Sequence, residues 1–86
     1  MSGSTNNLIQ VKLNYAITVD GVQVDKLSLR RPKVRDMLGV ETSHSNDAQK
    51  EIHLFAHLCE VNPDGLMDLD MADYAKLQKA YQGFLS

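Results

Sequence analysis

From Ile9 to Val19 the odd positions Ile9, Val11, Leu13, Tyr15, Ile17 and Val19 are apolar, while Gln10, Lys12, Asn14 and Thr18 are polar. A period of two over about ten residues predicts a half-buried strand. Asp20-Gly21 follows, flanked by Val19 and Val22. Asp-Gly tolerates the positive φ angles of a type I′ turn, so the pair predicts a two-residue hairpin. The return strand carries Val22 and Val24 and then skips to Leu27 and Leu29. That slip at Asp25 and Lys26 puts the leucines on the wrong face unless a β-bulge absorbs the extra residue. The pattern therefore predicts a bulge in the return strand, with Leu27 opposite Tyr15 and Leu29 opposite Leu13. Arg30 and Arg31 end the strand, because Pro32 has no N–H for the ladder and suits the first turn of a helix.

Beyond Pro32 the period becomes helical. Val34, Met37 and Leu38 make the apolar side of a short helix that Gly39 is placed to close. The turn-formers of "VETSHSND" predict a loop, and Asn46 with Gln49 forms a capping pair for a second helix reaching about Val61. On a wheel of 100° per residue Ile52, Phe55, Ala56 and Cys59 form one stripe, and Leu54, Leu58 and Val61 a second on nearly the opposite side. One neighbour cannot cover both. "NPDG" at 62–65 restarts a brief helical turn through Leu66 and Met67. Asp70 and Asp73 favour the positive end of a last helix, on which Tyr74, Leu77, Tyr81, Phe84 and Leu85 share a stripe and Lys76, Lys79 and Gln82 lie outside it. The expected architecture is α+β: an antiparallel hairpin over residues 8–31, then about three helices over 32–86. Residues 1–7, small and polar, read as a disordered tail ahead of one domain spanning 8–86.

A chain of 86 residues has room for one core. Its size buries only about 60 to 65% of the unfolded surface, so association with a partner would help it. A hydrophobic content of 43% excludes wholesale disorder. No apolar run approaches the roughly 18 residues of a membrane span, and "MSGSTNNLIQ" lacks the basic and apolar regions of a signal peptide, so a cytoplasmic location is expected. One cysteine, Cys59, excludes an internal disulfide and a multi-cysteine zinc site. Charge is uneven: six Lys or Arg stand against three Asp or Glu up to Val40, and three against eight from Glu41 onward. Such polarity can orient a charged partner or draw the two halves together.

Candidate chemistry is sparse. His53 and His57 are four apart with Glu60 near them, but a zinc site needs three or four ligands with outer support, and a metalloprotease would need Glu where Leu54 stands. Two solvated histidines are the expectation. Cys59 falls in a core stripe and reads as a small buried hydrophobe. No Ser, His and acid combination has a recognisable context, and no glycine-rich loop precedes a helix. The chain reads as a non-enzyme that needs no cofactor. Arg30, Arg31, Lys33 and Arg35, with Lys26, form a basic cluster compressed into the strand-to-helix corner. Without interleaved aromatics, in a chain of pI ≈ 5.8, it is a poor nucleic-acid surface, and a small nucleic-acid-binding regulator is the alternative reading.

Taken in order, the Asp-Gly hairpin, the corner Leu29 to Pro32 with Asp36, and the closing run Pro63, Leu66, Leu69, Asp73, Tyr74, Leu77, Phe84 and Leu85 resemble the small tail assembly chaperones of Mu-like and related contractile-tailed phages. The resemblance covers nearly everything from Leu8 to Ser86. It implies a non-catalytic protein that binds the phage tape measure protein, keeps it soluble and helps to recruit tail tube subunits. It also implies a location in the host cytoplasm and absence from the mature virion. Self-association is compatible with it; a membrane partner is not expected. The stripe Leu54, Leu58 and Val61 could receive an apolar helix of the partner. Arg30 and Arg31 are the polar residues expected beside it, in a corner whose arginines can also pair with acids.

Overall fold

The computed structural model describes residues 8–41 and 47–85. Two strands, β1 (Leu8–Val19) and β2 (Val22–Arg30), are followed by α1 (Val34–Glu41), α2 (Asp47–Cys59), α3 (Pro63–Leu66) and α4 (Met71–Leu85). This is the expected α+β arrangement, with four helices among the described residues because the brief turn after Asn62 closes as α3. Residues 1–7 and the Asn46 cap lie outside the described residues.

The strands pair antiparallel through a turn in which Asp20 has φ 52° and Gly21 φ 80°, the geometry that an Asp-Gly pair accepts. Val19 pairs with Val22 and Ile17 with Val24, as the alternation requires. The bulge is at the expected level but in the other strand. Between Lys12 and Ile17, β1 advances five residues while β2 advances only from Lys26 to Val24. Leu27 therefore lies opposite Val11, not Tyr15, and Leu29 opposite Ile9, not Leu13. The shift still returns Leu27 and Leu29 to the face shared by Val11, Leu13, Ile17 and Val19, all of them buried. Why β1 takes the extra residues follows from what Asp73 binds, described below.

One face of the hairpin carries the core. Phe55, Ala56, Leu58 and Cys59 from α2, Leu66 from α3, and Leu77 and Phe84 from α4 join the strand residues in one cluster. The Phe55 ring, fully buried, meets Tyr74 at 5.7 Å and Tyr81 at 5.5 Å between centroids, both tilted. α4 packs along β1, α2 lies against β2, and α3 bridges β1 and α2. Gly65 lets α3 approach the hairpin: a Cβ there would meet Val19 Cγ2 at 3.0 Å.

Helix ends have defined caps, among them the start of α4, where Asp70 Oδ2 accepts from Ala72 N–H at 3.0 Å. α2 stops at a Schellman motif, in which Val61 N–H donates to Ala56 O at 2.9 Å and Glu60 N–H to His57 O at 3.2 Å, with Glu60 left-handed at φ 58°. α3 starts at Asn62, whose side chain accepts from Asp64 N–H at 2.9 Å. Gly39 does not close α1, which continues to Glu41. Leu85, expected on the packed stripe of α4, is 63% exposed at the helix end.

Candidate functional site

The strand-to-helix corner is organised by a buried acid. Pro32 ends β2 and α1 begins two residues later, which brings Asp36 back over the end of the strand. Arg30 grips its carboxylate with both terminal nitrogens, Nη2 to Oδ1 at 2.9 Å and Nη1 to Oδ2 at 3.0 Å. Lys33 N–H donates to Oδ2 at 2.8 Å, and His57 Nε2 lies 3.0 Å from Oδ1. The bond from Arg30 and then the Lys33 amide overcome the opposing effect of burial and hold the Asp36 carboxyl down at about 2; the same bond raises Arg30. Arg31 turns elsewhere, lying over the Phe84 ring at 5.1 Å and reaching the Phe84 carbonyl at 3.4 Å. Two of the basic residues are thus engaged by the fold itself, which weighs against a nucleic-acid surface there.

Among the α1 side chains that the structure describes, Asp36 is the buried one, while Val34, Met37 and Leu38, on one face, are 71%, 51% and 58% exposed. Beside this face a hollow of about 240 Å³ opens between α1, α2 and α4, lined by Met37, Leu54, Phe55 and Tyr81 among others. Here the Tyr74 hydroxyl donates to the Glu51 carboxylate and ties α4 to α2, and Gln78 Nε2 donates to the same Glu51 oxygen at 2.9 Å. Burial, then the Glu51 bond, raises the Tyr74 hydroxyl above its ordinary range.

A second buried acid lies at the start of α4. Asp73 is fully buried; its Oδ1 accepts from Asn14 N–H at 2.9 Å and its Oδ2 from Tyr15 N–H at 3.1 Å. Successive amides of a regular strand point in opposite directions, so both reach one carboxylate only where the ladder is broken. This explains the extra residues of β1. Lys76 completes the clamp, Nζ donating to Lys12 O at 3.0 Å and to Asn14 Oδ1 at 3.1 Å while lying 3.4 Å from Asp73 Oδ1. The Asn14 amide first, then the Tyr15 amide and the Lys76 ammonium, draw the Asp73 carboxyl below its ordinary value despite burial.

Of the expected contact residues, Leu54 lines the hollow and Val61 is half-buried. Leu58 is 1% exposed within the core. α2 packs against α1, β2 and α3, and Leu58 belongs to the core cluster together with Phe55, Ala56 and Cys59. Arg30 is held by Asp36, and Arg31 is exposed. His53 Nδ1 is 2.9 Å from Gln49 O, and no group of three or more metal-ligating side chains converges among the described residues. Cys59 is buried, which pushes its thiol up to about 12 and leaves it a poor nucleophile. Asp36 and Asp73 are the residues that periodicity alone did not mark as buried. Asp73 could have been found, because it heads the α4 stripe of Leu77 and Phe84 at nearly the same wheel angle.

Among the described residues no helix is long and apolar enough to cross a membrane. No curated protein matches the chain, and no solved structure does. The family model described as phage tail assembly chaperone proteins, E, or 41 or 14, matches residues 10–86, from the third residue of β1 through the whole of α4, and the chain belongs to that family.

Proposed function

We propose that this tail assembly chaperone is a non-enzymatic binder of the phage tape measure protein, keeping it soluble in the host cytoplasm and helping to recruit tail tube subunits before leaving the finished tail. The observation that carries this reading is α1: a polar anchor at Asp36 holds a helix whose apolar residues Val34, Met37 and Leu38 face outward. A helix anchored this way can offer apolar side chains without depending on them for its place in the fold. With Leu54 in the adjoining hollow, it forms a surface suited to an apolar helix of a partner. Val61 and Arg31 remain candidate contacts, while Leu58 and Arg30 support the frame.

Co-expression tests the reading. A tape measure fragment is expected to stay soluble with the wild-type protein and to precipitate with Met37→Asp/Leu54→Asp, whose own fold persists by circular dichroism. Equal precipitation with and without the wild-type protein rejects the function. Undiminished capture by the folded double variant rejects the surface. Leu58→Asp is unsuitable for this purpose, since a charge at that buried site disrupts the core.

A further inference from the structure

Along α4, on the side of β1, runs an open trough of about 500 Å³ floored by Ile9, Val11, Ala80 and Gly83. Its rim is basic. Lys12, Lys76 and Lys79 line it, and only Lys76 is tied down, by the clamp on the bulge. The side chains of Lys12 and Lys79 make no hydrogen bond or ion pair among the described residues. A site with an apolar floor and a lysine rim suits an apolar segment flanked by carboxylates.

The chain carries such a segment on its own surface. Between α3 and α4, Met67 is 54% and Met71 76% exposed, and Asp64, Asp68 and Asp70 are exposed around them. Methionine is flexible enough to fill an irregular apolar hollow. We propose that the trough is a self-association site whose occupant is the Asp64–Met71 segment of a second copy of this chain, Met67 and Met71 entering the trough and Asp64 and Asp68 pairing with Lys12 and Lys79. Donor segment and acceptor trough are different patches of one surface, so the contact is head-to-tail. A head-to-tail dimer leaves one patch of each kind open, and assembly extends past the dimer unless a ring closes. This inference is independent of the tape measure surface on α1.

Sedimentation velocity of the full chain, from about 10 µM to about 1 mM protein, provides the test. At roughly 0.02 M salt the weight-average mass of the wild-type protein is expected to climb with concentration beyond that of a dimer, and in about 0.5 M salt the climb should fall away. Lys12→Glu/Lys79→Glu and, separately, Asp64→Lys/Asp68→Lys should each weaken association by about tenfold or more. Neither touches the Asp70 cap of α4. An equimolar mixture of the two should associate again, because each reversed patch then finds its complement in the other variant. Gly83 has open space where a Cβ would stand, so Gly83→Leu fills the trough without altering charge and should block assembly. Circular dichroism confirms that each variant is folded, and Met37→Asp on α1 should leave assembly unchanged. A wild-type protein monomeric throughout the range, a mixture that fails to associate, or a folded Gly83→Leu that assembles normally overturns the proposal.

Discussion

Two carboxylates, both among the least exposed groups in the molecule, determine how it responds to acid. Asp36 and Asp73 have folded-state pKa values below their ordinary 3.8, so each ionised form contributes stability in full above that value. The contribution is lost as pH falls, for Asp36 through about 2. Melting temperature should thus hold steady in mildly acidic buffer and decline below about pH 4. In Asp36→Asn and Asp73→Asn the melting point should start lower and decline less over the same interval; curves that merely run parallel to the wild type would show that these acids are not responsible. Glu60 is strained in the opposite sense, a side-chain-bearing residue in the left-handed region at the end of α2. Glu60→Gly should therefore raise stability by about 1 kcal/mol in urea denaturation. These acids show where reading the sequence reached its limit. Alternation and helical stripes report which residues are apolar, and they identified Leu29, Phe55 and Leu77 as core. They do not report that an acid is buried when donors converge on it: those of Asp73 lie 59 and 58 residues away, and those of Asp36, though only six and three residues away, meet it through a strand-to-helix corner that no single period spans.

Among the elements, α1 is held differently from the rest. Val34, Met37 and Leu38 face outward and Asp36 is buried, so Asp36→Ala leaves Arg30 and the Lys33 amide without their acceptor. That change should destabilise the protein by about 1–3 kcal/mol. Hydrogen exchange should quicken first in the α1 amides, with β1 and α4 following only at the global rate; a uniform change across all elements would contradict a local anchor. α3 offers a second test. Gly65→Ala improves helix propensity by about 1 kcal/mol but drives a methyl into Val19 Cγ2 at 3.0 Å. The close approach to a stiff, buried valine should win, giving a net loss in the wild-type background and a gain in Val19→Ala. The Asp-Gly turn, the end of β2 at Pro32 and the Asn62 cap were legible because each depends on neighbours in sequence. The bulge was half legible. A break in alternation at Asp25 and Lys26 required an irregular ladder, but the strand that absorbs it is selected by Asp73 on α4, beyond the reach of a local pattern.

For the molecule as a whole, folding segregates charge across the surface, bringing Lys12 of the basic half beside Lys76 and Lys79 of the acidic half. Lysines gather along the trough between β1 and α4, and carboxylates surround the α3–α4 junction. The apolar face of α1 lies apart from both in sequence, so tape measure capture and self-association should respond to different substitutions. Lys12→Glu/Lys79→Glu should retain capture in the co-expression assay while losing concentration-dependent mass. If both readouts fail together in folded protein, the two surfaces are one. The candidate surface was legible only in part. An excess of apolar helix face was visible on α2, where Leu58 is 1% exposed within the core, whereas the exposure of Val34, Met37 and Leu38 on α1 goes with the tie between Asp36 and Arg30, which no hydrophobic period displays.

The clamp at the β1 break also dictates an order of events. Asn14 and Tyr15 wait for a carboxylate that lies 59 and 58 residues further along the chain. As the protein is made, its earliest strand emerges well before the group that fixes its shape, and closure of so long a loop is comparatively slow. The hairpin can meander through other registers until the last helix arrives. Nascent chains ending before Met71 should therefore be cut readily by protease around residues 12–16, and chains extended past Phe84 should resist.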